Sequence, residues 1–93
     1  MSVEVRIPTP LRRVTNGEDK ASAEGDNLSQ VIESLEARYP GIKERLCDEA
    51  GDLRQFVNIY INGEDVRFLE GLNTSTKTGD EISIVPAVAG GNL

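Results

Sequence analysis

Apolar and polar residues alternate through Val3, Glu4, Val5, Arg6 and Ile7, the two-residue period of a half-buried strand over residues 2–7, stopped by Pro8 and Pro10. Asn16-Gly17, a pair that tolerates positive φ, turns the chain back towards a weaker strand over 20–23. The period then changes. Leu28, Val31, Ile32, Leu35 and Tyr39 fall at helical spacing, Asn27 is placed to cap them, and Gln30 three residues later is placed to close a capping box. Pro40-Gly41 ends this helix, and Ile42 and Leu46 extend the spacing by a further short turn to Cys47, before a polar loop over 48–52.

The strongest strand follows over 56–61, with Val57, Ile59 and Ile61 on one face and Phe56, Asn58 and Tyr60 on the other. Asn62-Gly63 makes a hairpin to a strand over 65–68. After a loop rich in Gly, Thr, Ser and Asn, Thr78-Gly79-Asp80 turns into a last strand, Glu81–Pro86, in which Ile82 and Ile84 alternate with Glu81, Ser83 and Val85. The order strand, strand, helix, strand, strand, strand is that of the β-grasp fold. It predicts an α+β domain with a mixed sheet of about five strands and one main helix across one face. Because a helical crossover favours parallel pairing, the first and last strands are expected side by side at the sheet centre. Residues 1–86 then form the domain and 87–93 a flexible tail. One helix covers only one sheet face, which leaves Phe56 and Tyr60, joined by Val85 at the same parity, as an exposed apolar partner surface near the tail root. Ordinary partial burial of one aromatic over its neighbours is the alternative.

With 93 residues there is room for one modest core and none for a pocket that encloses a substrate. No window is long and apolar enough to cross a membrane, and the N-terminus lacks the basic-then-apolar order of a signal peptide, so a cytoplasmic location is expected. The net charge of -6 argues against nucleic acid and favours partners with basic surfaces. Cys47 is the sole cysteine and histidine is missing, so neither an internal disulfide nor the usual soft-metal ligand set is available. Asp48 and Glu49 beside it would raise its pKa, which makes it a bland thiol. The neighbouring carboxylates Glu64 and Asp65 point to opposite faces of a strand and suit a turn better than acid–base chemistry.

What stands out is the end of the chain. Pro86 cannot donate to a ladder, Ala87, Val88 and Ala89 are small, and Gly90 and Gly91 have no side chain, so the segment is thin enough to thread a narrow channel. A glycine carboxylate joined to AMP becomes an acyl group that sulfur can attack. The chain has neither a phosphate loop nor a dinucleotide-binding glycine motif, so ATP and its metal would be held by a partner. Taken alone, a diglycine is also what a frayed terminus looks like; its place straight after a core strand is what gives it weight.

The run Gly79-Asp80-Glu81-Ile82-Ser83-Ile84-Val85-Pro86-Ala87-Val88-Ala89-Gly90-Gly91 resembles the C-terminal signature of the ubiquitin-like sulfur carriers, the family of the small subunit of molybdopterin synthase and the thiamine sulfur carrier. Within it, Ile7-Pro8-Thr9, Tyr39-Pro40-Gly41-Ile42, Phe56-Val57-Asn58-Ile59-Tyr60 and Glu64-Asp65-Val66-Arg67-Phe68 are most similar to the carrier of an alternative, thiocarboxylate-dependent cysteine synthesis. The resemblance implies a co-substrate of partner enzymes, with no cofactor or metal of its own. The terminal glycine, by motif Gly91, would be adenylated by an E1-like adenylyltransferase/sulfurtransferase using ATP and Mg, and converted to a thiocarboxylate. A PLP-dependent cysteine synthase would receive the sulfide, and a JAMM-type metalloprotease would release the product. As encoded, Asn92 and Leu93 follow the diglycine, so cleavage of the Gly91-Asn92 bond is expected first, by that same protease. The alternatives are a partner of the large subunit of molybdopterin synthase, a modifier joined through Gly91 to lysines, and a binding module whose tail is never activated.

Overall fold

The computed structural model describes residues 2–86. The alternating segments form five strands, β1 (Ser2–Arg6), β2 (Lys20–Glu24), β3 (Val57–Ile61), β4 (Glu64–Asp65) and β5 (Glu81–Pro86), and the helical spacing forms α1 (Leu28–Arg38) and α2 (Ile42–Leu46). The sheet order is β2-β1-β5-β3-β4, so the first and last strands are central neighbours. They pair in parallel, Val5 with Ile82, and the other pairings are antiparallel. This is the β-grasp arrangement. Val3, Val5, Val57, Ile59, Ile82 and Ile84 of the inner face are buried with Leu28, Val31, Ile32 and Leu35 of α1 in a single core. Each such side chain contributes about 1.5–3 kcal/mol by leaving water. None of the described helices is long and apolar enough to cross a membrane.

Both hairpin turns form where the Asn-Gly pairs stand. Asn62 (φ 52) and Gly63 (φ 89) supply the two left-handed positions that a two-residue turn between β3 and β4 requires. Beyond that turn, the expected strand over 65–68 is cut to Glu64–Asp65, and Val66–Phe68 forms a 3₁₀ turn instead. The cause is local. The Asp65 carboxylate accepts the backbone N–H of Arg67 at 2.8 Å, which bends the chain before the ladder extends. β3 likewise starts at Val57, because its N–H is taken by the carbonyl of Arg54 at 3.0 Å.

The α1 cap differs in one detail from the box read in the sequence. Asn27 Oδ1 accepts from the Gln30 N–H at 2.9 Å, but Gln30 Oε1 accepts from Asp26, one residue before the cap, at 2.8 Å. The backbone of the polar loop before β5 also holds this helix entry. The Leu28 N–H donates to the Thr74 carbonyl, the Thr76 N–H to Asp26, and the Thr76 hydroxyl to Gly25 at 2.8 Å. Gly25 is fitted to the entry by closeness, since a Cβ there would lie 2.7 Å from the backbone nitrogen of Val31.

At the other end of α1, Glu36 secures α2. Its carboxylate accepts the backbone N–H groups of Lys43 at 2.9 Å and Gly41 at 3.1 Å, while Lys43 Nζ pairs with Glu33. These bonds, the Lys43 N–H first and the Gly41 N–H second, hold the Glu36 carboxyl below its ordinary value. A lowered native pKa adds stability that is complete above the unfolded value of about 4.3 and is lost as pH falls through the native one. Glu36→Gln is therefore expected to melt below the parent at neutral pH, with the gap closing below about pH 4. Thermal unfolding followed by circular dichroism across that range checks it; a gap that persists at low pH would mean the carboxylate's charge is not what matters.

Candidate functional site

The site arises from strand register. β1 and β5 run in parallel, with Arg6 beside Ser83, so the end of β1 and the end of β5 reach the same pole of the domain. β3 begins there too, since Val57 is the partner of Pro86. β5 is paired with β1 over residues 81–83 and with β3 over residues 82–86, so Pro86 itself is placed by β3 through its partner Val57. The threading segment Ala87, Val88, Ala89 and Gly90, the acceptor Gly91 and the cleavage position at Asn92 lie outside the described residues.

On the sheet face away from α1, Val85 stands opposite Asn58, which makes Tyr60 its diagonal neighbour along β3, while Phe56 lies in the turn just before that strand. Phe56 is 48% and Val85 44% exposed, and Tyr60 is half-buried, so Phe56 and Val85 form the open part of the patch and Tyr60 its floor. Two further apolar side chains were missed by pattern reading. Phe68 is 87% exposed and Leu69 42%, in and just after the 3₁₀ turn that replaces the expected strand. The Arg67 guanidinium ties this turn to the patch, donating to Asn58 Oδ1 at 2.6 Å and to the Arg54 carbonyl at 2.7 Å. The available signal was Asp65, an aspartate placed to bond the backbone two residues on.

Cys47 is buried, and burial first of all pushes its thiol up, with the Lys43 ammonium opposing. A raised pKa leaves little thiolate at neutral pH, so this residue is a poor nucleophile.

Four likenesses bear on this geometry. Residues 5–91 match the sequence profile of the ThiS family, a match that takes in both glycines of the tail and ends before Asn92. The chain is 56% identical to the sulfur carrier protein CysO of Mycobacterium tuberculosis over 93 aligned residues, covering 98% of this chain and 100% of that one. The crystal structure of that CysO superposes with a TM-score of 0.89 at 55% identity, covering 92% of this chain and 99% of the other. A chain of the Amycolatopsis orientalis BexX/CysO complex also gives 0.89, at 46% identity with 92% and 96% covered.

The patch and the core are expected to respond in opposite ways to truncation. Phe68→Ala should change stability by about 0.5 kcal/mol or less, as for other exposed positions. Ile59→Ala, at a residue 1% exposed, should cost about 2–5 kcal/mol. Urea unfolding of both variants checks this, and a large loss from Phe68→Ala would place that ring in the packing.

Proposed function

The chain belongs to the ThiS family of ubiquitin-like sulfur carriers, and on that premise we propose that its tail, trimmed to Gly91, is adenylated and then loaded with sulfur as a thiocarboxylate that supplies sulfide for cysteine synthesis. The observation that carries this is the conjunction of a β5 held on both sides with a family match that runs through Gly90-Gly91 and leaves Asn92 and Leu93 beyond it. As encoded, Gly91 has an amide where activation needs a carboxylate. Hydrolysis of the Gly91-Asn92 bond supplies that carboxylate. Attack on the α-phosphate of ATP then forms the acyl adenylate and releases pyrophosphate, and a sulfur nucleophile displaces AMP.

The partners in this reading divide the remaining work. An E1-like enzyme binds ATP and Mg and delivers the sulfur; a PLP-dependent synthase binds the activated amino acid; a JAMM-type metalloprotease frees the product and also performs the first cut. The domain itself positions the tail and is recognised. Carriage in place of catalysis suits a chain whose relatives are named as carriers.

Intact-mass spectrometry of the protein from its native cell, grown while the pathway is in use, tests the proposal. The expected species ends at Gly91, with a fraction carrying a terminal thiocarboxylate. An isopeptide to a partner lysine would instead mark a protein modifier, and a chain always ending in Asn92-Leu93 would mark a binding module.

The apolar face is the surface on which the activating and accepting enzymes are expected to alternate. Phe56→Ala combined with Tyr60→Ala should weaken both by about 2 kcal/mol or more, as buried aromatic anchors do, and the two enzymes should compete in a pull-down. Unchanged affinities would remove this face from recognition.

A further inference from the structure

Net charge describes the whole chain, but the pole at Pro86 has a charge distribution of its own. Thr9, Pro10, Arg13 and Val14, in the loop that leaves β1 at this pole, line a cleft together with Arg45 of α2. Arg45 also lines a second cleft, with Glu44, Arg54 and Phe56. The two clefts share Arg45, and Phe56 of the second belongs to the apolar face. Arg13 and Arg45 are exposed, and Arg54 is half-buried with its Nε donating to the carbonyl of Glu44 at 3.0 Å. The ion pairs among the described residues are Arg6 with Glu81 and Lys43 with Glu33, so none of the three arginines is neutralised by a carboxylate partner there. Arg13 and Arg45 thus stand open in these clefts, while Arg54, though in no ion pair among the described residues, also lines a cleft with Glu44, Asp48 and Glu49.

We infer that Arg13, Arg45 and Arg54 form a basic collar that docks on an acidic rim around the channel by which a partner enzyme takes in the tail. The inference rests on the carrier reading of the tail, because only a threaded tail brings a channel mouth to this pole. A protein rim fits better than a small anion. The clefts are open, and the carboxylate of Glu44 lies in the second beside Arg45 and Arg54, where it repels a phosphate in the same cleft. A rim of aspartates and glutamates can face the three guanidiniums and stand clear of Glu44.

The test uses the carrier trimmed to end at Gly91 and the activating enzyme of the same organism, with ATP–pyrophosphate exchange as the readout. Arg13→Glu combined with Arg45→Glu is expected to raise KM for the carrier about tenfold or more at low ionic strength, with kcat little changed. It should also flatten the rise of KM with salt, whereas lysine at both positions should retain the parent's behaviour. Thermal melting checks that the double variant folds, and the single Arg→Gln changes, read in the same way, replace it if it does not. A KM and salt dependence equal to the parent's would overturn the collar. Saturable binding of inorganic phosphate, seen as matching NMR shifts at Arg13 and Arg45, would overturn it in favour of a small-anion site. If the trimmed parent supports no exchange at all, the carrier reading itself fails and the collar with it.

Discussion

Everything about this domain's tail depends on the parallel pairing of β1 with β5. Two strands almost a whole chain apart lie side by side at the centre of the sheet, and the residues between them form the crossover. That crossover cannot be a tight turn, because a parallel pair needs a connection that returns to the starting edge. α1 supplies the return and covers the inner face with the same residues. The pairing also means that β5 closes the sheet between two finished edges, with β1 on one side and β3 on the other. Two ladders hold β5 over residues 82–83, and β3 alone carries the pairing on to Pro86 at the root of the tail.

Much of this was legible in sequence because the local signals agree with one another. The inner-face parity of Val3, Val5, Ile59, Ile82 and Ile84 matches their burial, and the positive φ at Asn16, Gly17, Asn62 and Gly63 falls where the Asn-Gly pairs stand. Reading failed where a side chain competes with the backbone. At Asp65 one carboxylate hydrogen bond outweighs the propensity of Val66 and Phe68 for a strand, and the chain bends. Gln30 chose Asp26 over the cap residue, a difference of one position that no periodicity records. The bonds from Thr74 and Thr76 to the start of α1 were hidden for another reason. They join segments far apart in sequence, within a loop whose composition suggested only a connection.

The exposed surface shows the same division. Parity placed Tyr60 and Val85 on the outer face, and that holds because both lie in strands; Phe56, in the turn just before β3, is exposed without being held by strand parity. Phe68 escaped because it is not in a strand. Its link to the patch runs through Arg67, whose guanidinium spans from the turn to Asn58 and the Arg54 carbonyl. One side chain thus ties the missed aromatic to the surface that was foreseen, and fastens both to the segment that carries Arg54 towards the tail.

The charge distribution matters on two length scales. At physiological salt, potentials fade over about 8 Å, so a partner further away than that responds to the net charge of -6 and is drawn in if its body is basic. Once inside that distance it meets Arg13, Arg45 and Arg54 individually, with Glu44 among them. A partner suited to both stages has a basic or neutral body and an acidic mouth. The expectation of basic partners drawn from composition therefore describes the approach, and the collar describes the contact. Sequence shows the first because net charge is a sum over residues, while the second depends on which residues the β1–β5 pairing gathers at one end.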